Sequence, residues 1–88
     1  MVRKGRFFAY ILECSDNTYY TGFTPDLEHR VELHNKGKGA KYTRARTPVN
    51  LVWSKEYKYF KKAFLLEKKI KKLTRAKKEL LVSGKLSL

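Results

Sequence analysis

The sequence predicts an α+β domain of three strands and packed helices, and three observations carry that expectation. Aromatic and apolar runs of strand length recur at 6–13, 18–23 and 50–57. Helix-length segments with recognisable starts and stops stand between and after them. A chain of 88 residues, 42% hydrophobic and 14% aromatic, has material for one core and no room for two, so a single domain over 1–88 is expected.

Residues 6–13 read Arg-Phe-Phe-Ala-Tyr-Ile-Leu-Glu, followed by turn chemistry at Ser15, Asp16 and Asn17. Residues 18–23, Thr-Tyr-Tyr-Thr-Gly-Phe, are rich in strand formers and complete a hairpin. Thr24, Pro25 and Asp26 open a helix, with Thr24 as the cap, Pro25 at the first helical position and Asp26 at the positive end of the dipole. This helix is expected to run to about Lys36 and stop at Gly37. Residues 37–48 form a basic loop or short helix, and 50–57, containing Leu51, Val52 and Trp53, a third strand. Residues 60–73 are a helix by length and spacing. Thr74 caps a last helix that runs to about Val82, with Ser83 and Gly84 ending it. Three strands with packed helices suffice for an independent α+β domain.

Charge narrows the function. Lys and Arg number 21 against 8 Asp and Glu, a formal net charge of +13. No acid occurs between Glu32 and Glu56, while Lys36, Lys38, Lys41, Arg44, Arg46 and Lys55 fall in that interval, and a second dense basic set runs over 58–78. Such a surface attracts polyanions and points to a nucleic-acid partner. No apolar run approaches the roughly 18–20 residues of a membrane span, so no membrane role is expected. The single cysteine, Cys14, makes no intrachain disulfide, and with no secretory leader this indicates a reducing, cytoplasmic setting. Nothing marks an obligatory protein partner. Zinc spacing, a P-loop and a dinucleotide-binding loop are all absent.

Polar residues stand where the periodicity calls for apolar ones. On the helix at 60–73, Phe60, Ala63, Phe64, Leu66, Ile70 and Leu73 share one broad arc at about 100° per residue, and Glu67 falls inside it. A carboxylate there needs a cation, a metal or hydrogen-bond donors, or else sits at the arc's edge and pairs with Lys71. On the first helix Leu27, Val31 and Leu33 define the inner side, and Arg30 and His34 point the same way. They form either a phosphate-holding pair or a snorkelling Arg and a hydrogen-bonded core His. Tyr10, Tyr19 and Tyr20 lie on strands and Tyr42 in the basic loop. By alternation Tyr19 and Tyr20 face opposite sides, so at most one is core. A basic sheet surface carrying tyrosines can also stack the bases of single strands.

These features coincide in a family pattern. Phe8-Ala9-Tyr10 and Tyr20-Thr21-Gly22, with Arg30 ten residues after Tyr20, His34 four later and Glu67 on a helix after the third strand, resemble the GIY-YIG nuclease superfamily, in particular its small stand-alone bacterial members. Residues 37–44 and 66–71 match the same subgroup, and the resemblance covers about 7–81. Phe8 and Ala9 replace the Gly and Ile of the first motif and Thr21 the Ile of the second. The resemblance implies a three-stranded antiparallel sheet flanked by helices, and a phosphodiesterase site with a single divalent metal, Mg²⁺ or Mn²⁺. It implies that Tyr10 and Tyr20 are the motif tyrosines, one of them the general base. Arg30 would contact the scissile phosphate, His34 would assist as a polar or proton-handling group, and Glu67 would hold the metal. DNA cleavage in repair or recombination is the expected activity, with Lys38, Lys41, Tyr42, Arg44 and Arg46 contacting the nucleic acid. A non-catalytic DNA- or RNA-binding module on the same fold is the alternative.

Overall fold

The computed structural model describes residues 4–88, with Lys4 by its backbone alone. Strand β1 (Lys4–Glu13) lies at the centre of the sheet, antiparallel to β2 (Tyr19–Thr24) and to β3 (Asn50–Tyr59), in the order β2-β1-β3. Helices α1 (Leu27–Asn35) and α2 (Lys41–Arg44) connect β2 to β3, and α3 (Phe60–Lys71) and α4 (Arg75–Val82) follow β3. The expected α+β architecture is the one the chain adopts. The first and third strands each run two residues beyond expectation, and Lys4 and Tyr59 pair with one another.

Both faces of β1 are covered, which is why its sequence is a continuous apolar run and not an alternating one. Ala9 and Ile11 join Leu66, Ile70 and Leu81 in a core under α3 and α4. Tyr10 and Leu12 join Cys14 and Val49 in a second core on the opposite face, flanked by Leu27 and Val31 of α1. Tyr19 packs against the first core and Tyr20 against the second. The two rings face opposite sides as expected, and each is half-buried.

Helix α1 begins later than its sequence suggests. Thr24 pairs with Phe8 in the sheet and stays extended, so capping passes to Asp26. The Asp26 carboxylate accepts the His29 N–H at 3.2 Å, and the Thr24 hydroxyl accepts the Asp26 N–H at 3.1 Å. The helix ends as expected, with Lys36 as its C-cap and Gly37 at φ 74°. Its one buried residue is His34, whereas Leu27, Val31 and Leu33 are only partly covered. Helix α3 stops two residues short of the expected Leu73, and Thr74 caps α4 by accepting the Lys77 N–H at 3.2 Å.

The β1–β2 hairpin closes through the Cys14 N–H donating to the Thr18 carbonyl at 2.8 Å, with Asn17 at φ 65° in the left-handed region. Its tip is tied to the segment after α2: Ser15 N–H donates to the Arg46 carbonyl at 2.9 Å, and Arg46 Nε lies 3.0 Å from Asp16 Oδ2.

Candidate active site

The second core is polar at its centre. Tyr10, buried in β1, places its hydroxyl 2.8 Å from His34 Nε2, and His34 Nδ1 lies 2.8 Å from Thr43 Oγ1. Thr43, fully buried in α2, donates to the Ala40 carbonyl at 3.1 Å. Each tautomer of the ring satisfies part of this network. With the proton on Nδ1, Tyr10 donates to Nε2 and His34 donates to Thr43. With the proton on Nε2, His34 donates to Tyr10, Nδ1 accepts the Ala40 N–H at 3.3 Å, and the Tyr10 hydroxyl hydrogen is released from the ring.

Two glycines allow this packing. A Cβ on Gly22 would collide with the Tyr10 hydroxyl, and one on Gly39 with the His34 ring at Nδ1. The loop carrying Gly39 is closed by a pair of bonds between Asn35 and Val49: Asn35 Nδ2 donates to the Val49 carbonyl at 3.1 Å, and Val49 N–H donates to Asn35 Oδ1 at 2.7 Å.

Two charged side chains complete the cluster. Arg30, one turn before His34, is partly buried, and its guanidinium has neither a hydrogen bond nor an ion pair among the described residues. Glu67 enters from α3 with its side chain 14% exposed, and its one ion-pair partner among those residues is Lys71, at 3.5 Å. The other four ion pairs close at 2.7–3.0 Å, so Glu67 is the most buried and most loosely held of the paired acids. Both sequence-level alternatives for Glu67 are thus partly realised: it lies inward and it pairs with Lys71.

Burial, foremost, holds the Tyr10 phenol above its ordinary value of 10.0, reinforced by the nearby Tyr20 and Glu67 and opposed by the Arg30 cation. Burial also pushes the His34 imidazole below 6.5, and the Arg30 charge pushes the same way. Tyr10, Tyr20, Arg30, His34 and Glu67, spread over 58 positions, act on one another here.

Tyr20 carries the cluster outward. Its ring lies 5.1 Å from the His34 ring and stacks on Tyr42 at 6.1 Å, and the Arg46 guanidinium lies 4.0 Å from the Tyr42 centroid. Arg46 also pairs with Asp16 and donates to the Tyr42 carbonyl at 2.7 Å, so it is engaged within the chain. Lys38, Lys41 and Arg44 are exposed, and Tyr42 shows 38% of its surface. Sequence reasoning included Gly39 and Thr43 in the family match but gave Thr43, Gly39 and Asn35 no role of their own. A four-residue helix is too short for periodicity, and a hydroxyl among cations carries no signal of burial.

The donor set bears on the metal that the fold family implies. Among the described residues no group of three or more His, Cys, Asp or Glu could hold an ion. Glu67 offers one inward carboxylate, hard oxygen chemistry suited to Mg²⁺ or Mn²⁺. A single carboxylate fits an ion that keeps most of its waters and takes further oxygens from a phosphate, and does not fit a closed cage.

The comparisons with known proteins bear on the family and the fold. The model of the GIY-YIG catalytic domain matches residues 6–79. The UPF0213 protein YazA of Bacillus subtilis is 47% identical over 78 residues, which cover 89% of this chain and 79% of that protein. A UPF0213 protein of Halobacterium salinarum is 53% identical over 73 residues, covering 83% and 95%. The solution structure of the UPF0213 protein BH0048 from Bacillus halodurans superposes with a TM-score of 0.60 at 46% identity, covering 91% of this chain and 85% of that one. With a buried Tyr10–His34 pair, an inward Glu67 and a family match along most of its length, this chain belongs to the GIY-YIG family of nuclease-type domains.

Proposed function

We propose that the chain is a single-domain, divalent-metal-dependent nuclease that hydrolyses phosphodiester bonds in DNA, in the service of repair or recombination, with Tyr10, Tyr20, Arg30, His34 and Glu67 as its working residues. One observation carries the reading. An unpaired, partly buried guanidinium and an inward carboxylate bear on the same buried phenol. A cation left without a partner there suits a phosphate oxygen. The buried free thiol of Cys14 supports a reducing, cytoplasmic setting.

Glu67 would hold the Mg²⁺ or Mn²⁺, which when bound supplies positive charge to the phosphate oxygens. Arg30 orients the scissile phosphate and offsets the charge that develops on it. Tyr20, partly exposed beside His34, is placed to accept the proton of the attacking water. Tyr10 is sealed by burial, which works against its phenolate. It keeps its proton or shares it with His34, and so holds the imidazole in place beneath Tyr20. Lys38, Lys41 and Arg44 contact the backbone of the nucleic acid, while Tyr42, braced by Arg46, shapes the wall beside Tyr20.

Cleavage of labelled DNA with Mg²⁺, run beside fluorescence anisotropy of the same DNA, tests the reading. Glu67→Gln, Arg30→Ala and Tyr20→Phe are each expected to lose cleavage by about 10²–10³-fold while still binding. Near wild-type cleavage by Glu67→Gln would refute it. The Lys71 ion pair is the one observation that favours a non-catalytic binding module, and that alternative predicts intact binding with no cleavage on branched, single-stranded or duplex DNA.

A further inference from the structure

The cations of α3 and its C-cap, Lys72, form a track that starts at the active site. At about 100° per residue, Lys71, Lys68, Lys61 and Lys72 follow Glu67 round the helix at about 40°, 100°, 120° and 140°. All four are exposed. Lys68 Nζ lies 4.7 Å over the Phe64 ring, which holds the ammonium close to the helix surface. From Lys61 to Lys72 the track runs about 16 Å at roughly 1.5 Å per residue. The one acid on α3 is Glu67 itself, which faces the site. Beside Glu67, burial and then the neighbouring Lys71 charge hold the Lys78 ammonium of α4 below its ordinary value. The cations already assigned to nucleic acid, Lys38, Lys41 and Arg44, belong to α2 and the loop before it, beside His34.

We propose that the outer face of α3, from Lys71 through Lys68 and Lys61 to Lys72, is a second phosphate-binding track that takes the nucleic-acid segment on the far side of the scissile bond from the α2 loop. This rests on the nuclease reading for the location of the scissile bond, but the track itself is a binding surface. A row of exposed ammonium groups, of which only Lys71 has an acid beside it among the described residues, suits a polyanionic backbone and reads no base sequence. It does not suit a membrane surface. Leu65 is the one large exposed apolar residue of α3, too little for an interfacial helix to insert.

The experiment measures anisotropy of labelled duplexes of 10 and 30 base pairs across a salt series, with EDTA present so that cleavage plays no part. Lys61→Gln/Lys68→Gln/Lys72→Gln keeps helix formers at exposed positions, and circular dichroism verifies the fold. The triple variant is expected to reduce the slope of log K against log salt on the long duplex by about 2–3, at roughly 0.9 per lost contact, and to change the short duplex less. Lys38→Gln/Lys41→Gln/Arg44→Gln should reduce the slope by a separate, additive amount. An unchanged long-duplex slope in the α3 variant overturns the proposal, as does binding of that face to anionic phosphatidylserine vesicles in preference to DNA. Absence of cleavage by the wild-type protein with Mg²⁺, alongside the expected slopes, would refute the nuclease reading and leave the track standing.

Discussion

Burial and the Arg30 charge oppose protonation of His34 in the folded protein and hold its imidazole below the ordinary value of 6.5. As the pH falls through the ordinary value of 6.5, the unfolded chain takes up this proton before the folded chain does. The contribution of His34 to stability is therefore complete above about pH 6.5 and is lost as the pH falls towards the lower folded value. Urea midpoints should decline between pH 7.5 and 5 in the wild type, and His34→Gln should start lower with that segment flattened. A second residue-scale expectation concerns Thr21, 4% exposed, whose hydroxyl has no hydrogen-bond partner among the described residues. Thr21→Val removes the orphaned group at nearly constant shape and should stabilise the fold by about 1 kcal/mol in urea unfolding. Arg30, His34 and Glu67 were legible in the sequence because each broke an apolar arc. The choice between a core His and a phosphate-holding pair was not legible, since it depends on Tyr10 and Thr43, distant in sequence and joined only by the fold.

The elements differ in how they are held. The sheet was readable strand by strand, because each strand is an apolar run bounded by turn residues, and only its ends moved. The start of α1 was misread because sheet pairing of Thr24 with Phe8 outranks its capping propensity. The segment containing α2 reads as a basic nucleic-acid loop, and it is also the clamp on His34. Gly39→Ala tests that second role. The added methyl would meet the His34 ring, which is already fixed by Tyr10 and Thr43, so the substitution should cost roughly 1–3 kcal/mol. The His34 ring resonances should shift in the same variant, and an unperturbed ring at wild-type stability would show that the clamp yields freely.

At the scale of the whole molecule, charge outweighs any single contact. Among the described residues, five of the eight acids, Asp16, Glu32, Glu56, Glu67 and Glu79, sit in ion pairs. The surplus of +13 has few internal anions left to meet, and self-repulsion opposes folding. The thermal midpoint should rise with ionic strength, and a short oligonucleotide should raise it more than NaCl at equal ionic strength, because it binds only the folded array of cations. A midpoint that falls with salt would contradict this. The fastening of the hairpin tip to Arg46 has a consequence for engineering. A solvent-exposed turn such as 15–17 is where a tag or sensor domain would ordinarily be grafted without harm. Here Ser15 and Asp16 grip the residue that braces Tyr42 against Tyr20, so a graft would loosen the wall of the site from a distance. A ligand-gated insert at that turn would make the protein switchable by a molecule that never approaches the site.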